Sequence, residues 1–411
     1  MWLLSQWCIV FVSSSPRIYK GCSFTASWSY ITLPILLYVP LSYHFLFVCR
    51  LLIYPTVFKM VHTIAMALPL LGLSLLTSAG PLQQREAVPT AGKAYGGDMF
   101  NDVFGEVEIM MQEISNGDMS AMDDKKTQKP EKCGKGSTDK CCVWYDVSAE
   151  LTKLFVGQDR QCNDNARGAV RMGFHDAGSW EQGSGDGGAD GSLIMDFGEQ
   201  DRRENNGLQN IRNVLRDVQK KYKVGYADLV QYAHNHATVS CPKGPRVRTF
   251  IGRKDATKAN QGSLLPDTRD DPNNLIALFK RKGISERELA ALLGAHTTAR
   301  QRFVDTSSAA VNKPLDGTNG VWDVEFYNDT LNNPVGATAN QKVFVLPSDK
   351  ALSQHPKVKG DWSRFVGNQG GWNNEYARAY IKVSMFGVKR EQLRKMVDCT
   401  QTLPASRNTF P

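Results

Sequence analysis

Strand signals are scarce in this chain, and histidine is scarce too, with seven in 411 residues. No internal repeat occurs, so architectures built from stacked units are not indicated. No nucleic-acid motif occurs either. The formal net charge of +8 is partly produced by the N-terminal region, so no polyanionic partner is inferred. One N-glycosylation sequon is present, NDT at Asn328, expected on a surface loop.

Helical periodicity dominates. DVSAELTKLF, ARGAVRMGFHD, LQNIRNVLRDVQKKY, GYADLVQYAHNHATV, DPNNLIALFKRK, SERELAALLGAH, NEYARAYIKVSMFG and REQLRKMV carry apolar residues three and four apart. The expected fold is all-α, as one large domain or two tightly packed lobes.

Two of these segments hold candidate chemistry. In RGAVRMGFHDAG, Arg171 and His175 stand four apart, so a helix places a permanent cation beside a titratable imidazole. A neutral imidazole can take a proton from one peroxide oxygen while the guanidinium stabilises charge on the departing one. Alone, the run also fits an ordinary amphipathic helix with an Arg–Asp surface pair. The second segment is ISERELAALLGAHTTAR, where Ser285 and Glu288 form a capping box and Leu289, Leu292, Leu293 and Ala295 lead to His296. His296 is therefore expected late on a buried helix, as a core residue or an axial ligand of haem iron. Asp349, in VLPSDKAL, is the candidate anion for its other nitrogen.

With these residues in place, the chain resembles the secreted fungal class II haem peroxidases from about residue 131 to 400. The resemblance puts the distal arginine, phenylalanine and histidine on Arg171, Phe174 and His175, the proximal histidine on His296 and the proximal aspartate on Asp349. It also implies an asparagine that accepts from the distal histidine and a glutamate that holds it, at Asn205 and Glu199. The local sequence EQDRRENNG leaves Asn206 and Gln200 as alternatives. GGADGSL matches a family segment, and the resemblance implies two calcium ions. One would be held by Asp176, Gly188, Asp190 and Ser192, the other by Thr297, Asp316, Thr318, Val321 and Asp323. Calcium takes six to eight oxygens, which PLDGTNGVWD can supply around a turn; polar Gly/Asp turns without metal are also common.

Nine cysteines occur, of which Cys8, Cys22 and Cys49 lie near the N-terminus. The other six suit an oxidising compartment, and their fifteen possible pairings are not resolved by sequence. The resemblance implies Cys133–Cys142, Cys141–Cys399 and Cys162–Cys241; a further family disulfide near the C-terminus has no counterpart. No Cys-x-x-Cys-His run occurs, so the expected haem b is non-covalent.

Residues 1–59 are read as a gene-model extension, with a membrane anchor at 31–48 as the rival. From Met60, an apolar run and small residues up to 80 have the anatomy of a secretory signal. Residues 81–130 read as a pro-segment or linker with a short helical piece around GEVEIMMQEI, 131–400 as the peroxidase domain, and 401–411 as a tail.

Departures from specialised relatives set the expected substrate. Manganese peroxidases place three carboxylates where this chain has Asp164, Gly168 and Arg302, and lignin peroxidases place a surface tryptophan where it has Ala291. Intracellular peroxidases place tryptophan at Phe174. The expectation is a generic extracellular, monomeric enzyme that uses hydrogen peroxide to oxidise small phenols and aromatic amines, with no nucleic-acid partner and no membrane in the mature form. The alternative is a non-catalytic haem-binding or cell-surface relative. Trp180, Trp322, Trp362 and Trp372 are read as packing residues. His234 and His236, two apart on a helix, are expected at the surface or in caps, and His355 in a loop.

Overall fold

Several helices begin where a side chain accepts from the orphaned first-turn amides, at Asn163, Asp271, Ser285 and Asn368. A computed structural model describes residues 105–407, apart from 126, 127, 135 and 339; the expected extension (1–59), the expected secretory signal (60–80) and the part of the expected pro-segment before 105 lie outside the described residues. Twelve α-helices follow in order: α1 (Glu106–Asn116), α2 (Cys142–Phe155), α3 (Asp164–Gly178), α4 (Gln209–Tyr222), α5 (Tyr226–Ser240), α6 (Pro272–Arg281), α7 (Glu286–Leu293), α8 (Glu325–Asn332), α9 (Pro347–Gln354), α10 (Lys359–Phe365), α11 (Gln369–Val383) and α12 (Arg390–Leu393). The strands β1 (Phe250–Ile251) and β2 (Val397–Asp398) pair antiparallel. The fold is mostly helical, as expected.

Helix α3 starts at Asn163, whose side chain accepts from the amides of Asn165 and Ala166, a cap worth about 1 kcal/mol. Its buried face, with Ala166, Ala169, Val170, Met172 and Gly173, packs on α5, which is buried from Ala227 to Ser240. A β-carbon at Gly173 would lie 2.4 Å from Tyr380 Oη and 2.6 Å from His234 Cβ. The absence of a side chain there is what lets α3, α5 and α11 approach. Helix α7 begins with the expected Ser285/Glu288 capping box. It ends earlier than the sequence suggests: His296 lies on a 3-10 turn, Gly294–Thr298, and not on the helix. A β-carbon at Gly294 would meet Trp372 Nε1 at 2.3 Å and Tyr327 Oη at 2.4 Å, so only glycine lets the turn settle onto these rings.

Helix α1 is the short helical piece expected around GEVEIMMQEI, and it is packed against the rest of the fold. Val107 and Ile114 are buried in a cluster with Val247, Phe250, Ala377, Ile381 and Met396, and Glu108 pairs with Arg390 and Arg394. Asn328 of the sequon is exposed as expected but lies on helix α8 and not in a loop, with its Oδ1 accepting from Asn332 Nδ2. The disulfides join Cys133 to Cys142, Cys141 to Cys399 and Cys162 to Cys241. Among the described residues no helix is long and apolar enough to cross a membrane.

Candidate active site

Arg171 and His175 share a face of α3, and Arg171 Nε donates to His175 Nε2 at 3.2 Å. The Arg171 terminal nitrogens donate to the carbonyls of Asn206 and Glu204, each at 2.7 Å. On the other side of the ring, His175 Nδ1 lies 2.9 Å from Asn205 Oδ1. An amide oxygen only accepts, so Nδ1 carries the hydrogen and Nε2 keeps its lone pair. Asn205 is held in turn by donating to the Glu199 carbonyl at 2.8 Å. Glu199 thus holds it through its backbone, while its carboxylate accepts from the Asn260 amide and from Arg202. Of the alternatives, Asn206 serves Arg171 through its carbonyl, and Gln200 reaches neither group. Burial, then the Arg171 charge, push the His175 pKa down to about 3, so the ring is a neutral acceptor at ordinary pH. Burial lowers Arg171 to about 10, which leaves it cationic.

His296 Nδ1 lies 2.8 Å from Asp349 Oδ2. Burial works to lower the imidazole's pKa, but the charge and hydrogen bond of Asp349 outweigh it and leave the pKa raised. Asp349 is buried at the start of α9, and Phe326 stands edge-on to His296, centroids 5.6 Å apart. The two histidine sites are near enough to act on one another: the His296 charge contributes to lowering His175, and the Arg171 charge acts on His296.

The residues present fit a haem. With Nδ1 committed to Asp349, the free nitrogen of His296 is Nε2, and 35% of the side chain is accessible although Thr297 and Thr298 beside it are buried. Phe174, Leu292, Leu293, Ala295 and Ala299 are likewise only partly covered. A free imidazole nitrogen together with partly covered apolar side chains suits a flat apolar macrocycle.

Two carboxylate pairs adjoin the histidines. Asp176 accepts from the amides of Gly191 and Leu193, and Asp190 from Ser192 N and Asn260 Nδ2. Burial, then Asp190, raise Asp176 well above the usual carboxylate range; burial raises Asp190 to about 6. Ser192 Oγ is buried without a partner among the described residues. Near His296, Thr297 donates to Asp316 at 2.6 Å, Thr318 Oγ1 lies within reach of Asp316 and Asp323, and Val321 N donates to the Thr318 carbonyl. Burial lifts Asp316 to about 7, and Lys243 Nζ stands 3.6 Å from Asp323. Among the described residues no three His, Cys, Asp or Glu side chains converge on one point. A cation at either place would therefore draw on hydroxyl and carbonyl oxygens as well, as calcium does. The orphaned Ser192 hydroxyl, beside Asp176 and Asp190, fits such a donor set.

Asp164 is paired with Arg167 at 2.7 Å and Arg302 at 3.1 Å, Gly168 packs against Ile211, and Ala291 is buried. The expectation for His234 and His236 is overturned: both are buried in α5, because all sides of that helix are covered. His355 ends α9 in a loop as expected. Sequence reasoning missed Lys282, whose buried ammonium donates to the carbonyls of Gly178 and Trp180 and so holds the C-terminal end of α3. In the run KRKG it reads as a solvated charge. Burial lowers its pKa to about 8.

Residues 144–368 match the family model described as Peroxidase. The chain is 30% identical over 295 residues to a peroxidase of Arthromyces ramosus, covering 67% of this chain and 79% of that protein. It is 30% identical to a low-redox potential peroxidase of Taiwanofungus camphoratus, covering 64% and 78%, and 28% identical to Ligninase A of Phanerodontia chrysosporium, covering 68% and 80%. Taken with the two histidine sites, these matches mean that the chain belongs to the peroxidase family, as a haem peroxidase related to the fungal class II enzymes.

Proposed function

We propose that this chain is a generic secreted peroxidase that oxidises small phenols and aromatic amines by single-electron steps, without the family's manganese site or the family's surface tryptophan. The observation that carries the reading is Asp164 already paired with both Arg167 and Arg302, which leaves no carboxylate cage for a divalent metal.

His296 Nε2 would hold haem iron, with Asp349 keeping Nδ1 protonated and the ring basic. When bound, haem supplies the iron that peroxide oxidises by two electrons and that donors reduce one electron at a time. His175 Nε2, neutral and facing Arg171, takes the proton from the first peroxide oxygen and returns it to the departing one. Asn205 fixes the tautomer this requires, and the Arg171 cation stabilises charge on the leaving oxygen. Phe174 helps cover the pocket. Asp176, Gly188, Asp190 and Ser192 would bind one calcium ion, and Thr297, Asp316, Thr318, Val321 and Asp323 a second. Asn328 would be glycosylated on the exposed face of α8.

An exposed aromatic lies at the rim. Phe303 is 55% accessible and its ring covers Gly207, where a β-carbon would lie 3.6 Å from Arg171 Nη1. An apolar donor can rest there close to the site. The test is a donor screen on secreted holoenzyme: phenols and anilines should turn over with peroxide, and F303A should raise KM for them more than it lowers kcat. A protein with a haem spectrum that reacts with peroxide but oxidises none of these donors would overturn the proposal.

A further inference from the structure

A continuous chain of buried rings runs from His296 to the underside of α3. Phe326 meets His296 at 5.6 Å and Trp362 at 5.4 Å; Trp362 meets Tyr327 at 5.1 Å, and Tyr327 meets Trp372 at 5.9 Å. Trp372 stacks on Trp322 at 5.0 Å, and Trp322 meets Tyr376 at 4.7 Å. These are ordinary aromatic packing distances. All these rings beyond His296 are buried. Indoles and phenols can give up an electron, while the phenyl ring of Phe326 serves only as a bridge.

The chain ends on a base. Tyr376 Oη lies 2.8 Å from His234 Nε2, and His234 Nδ1 lies 2.7 Å from the Val170 carbonyl. A carbonyl only accepts, so Nδ1 bears the hydrogen and Nε2 accepts from the phenol. The other phenols of the cluster lack a base: Tyr327 donates to the Ala290 carbonyl and Tyr380 to the Gln231 amide oxygen. Oxidising a buried phenol requires its proton to leave, so Tyr376 is the one ring here equipped for it.

We propose that Tyr376 is an internal reductant of the peroxide-oxidised enzyme. When no outside donor is present, one electron passes from Tyr376 along the rings to the centre at His296, which peroxide has oxidised. The phenolic O–H bond breaks and the proton goes to His234 Nε2, leaving a tyrosyl radical beside an imidazolium. The reading goes beyond donor turnover and rests on His296 as the iron ligand. A histidine-ligation signature in the resting holoenzyme is therefore recorded first, so failure of that premise is seen separately.

The experiment mixes full-length holoenzyme with one equivalent of peroxide, without donor, and freezes it for electron paramagnetic resonance. A tyrosyl signal is expected that narrows with ring-deuterated tyrosine, and whose high-field spectrum shows a hydrogen bond donated to the phenoxyl oxygen. Y376F should lose that signal and lengthen the life of the oxidised state several-fold, while Y380F keeps it. Persistence of the same radical in Y376F, or equal lifetimes, would overturn the proposal. Should Y376F not fold, the wild-type spectra decide: no tyrosine signal, or one lacking a donated hydrogen bond, points to Tyr327 or Tyr380 or to no relay at all.

Discussion

Asp349 Oδ2 sits 2.8 Å from Nδ1 of His296, and the carboxylate is buried while the imidazole is partly open. A buried anion on one ring nitrogen raises the electron density of the other. D349N keeps the shape and removes the charge. It should lower the iron–histidine stretching frequency and slow the reaction with peroxide by roughly 10- to 100-fold. An unchanged stretching frequency would mean that Asp349 does not act on the ligand.

H175L should leave haem bound and slow the peroxide reaction by about 10² to 10⁴-fold, the usual contribution of a positioned base. The base form of His175 exists above its depressed pKa of about 3, so the wild-type rate should hold through mildly acid pH and fall only as that value is approached. H296A, by contrast, should lose or loosen the haem. Stopped-flow traces and the Soret band distinguish the two variants; a native peroxide rate in H175L removes it from the mechanism.

How much was legible depends on whether a feature is local. Arg171 and His175 are four apart, and helix geometry alone brings them together. The capping box of Ser285 and Glu288 is equally local. The end of α7 was misjudged because Gly294 is accommodated against Trp372 and Tyr327, which lie far along the chain. Helices α8, α9 and α10, of eight, eight and seven residues, are too short to show a period. His234 and His236 were misplaced because two residues of spacing implies two faces, and α5 has no solvent face at all. The ring chain to Tyr376 joins residues from three helices, so no window of sequence contains it.

His236 makes an acid-stability prediction. Its ring is fully buried and burial lowers its pKa from 6.5 to about 3. Between those values the unfolded chain binds a proton that the folded one does not, so stability falls as pH drops through 6.5. The slope approaches about 1.4 kcal/mol per pH unit for each such histidine. Urea midpoints at pH 5 and 7 should differ accordingly, and H236Q should narrow the difference. An unchanged difference in a folded H236Q would assign the acid lability to other groups.

Chelation should inactivate the enzyme slowly and calcium should restore it, because Asp176 follows His175 directly and its freedom would let that imidazole drift. The folded pKa values of Asp190, about 6, and Asp316, about 7, lie above the ordinary 3.8. For the calcium-free protein these groups favour folding while protonated, and that contribution is lost as pH rises through those values. Chelator should therefore accelerate thermal inactivation more at pH 7 than at pH 5. Metal analysis that finds no calcium, with inactivation indifferent to chelator, would remove both sites.

Manganese(II) should be neither a tight ligand nor an efficient reductant. Asp164 spends both oxygens on Arg167 and Arg302, and the neighbouring helix position is Gly168, packed against Ile211. A divalent ion would have to displace a cation and then find its remaining oxygens elsewhere. Non-phenolic aromatics should be poor substrates for a different reason. Ala291 is buried, with its carbonyl accepting from Trp372, and Trp322, Trp362 and Trp372 are buried as well, so a bulky donor touches none of them. Trp180, stacked on Phe386 at 4.9 Å, is the partly exposed indole of the four. Saturable manganese oxidation at micromolar concentrations would defeat the first half of the prediction. Efficient veratryl alcohol oxidation that vanishes in W180F would defeat the second, and would place a surface radical site on Trp180.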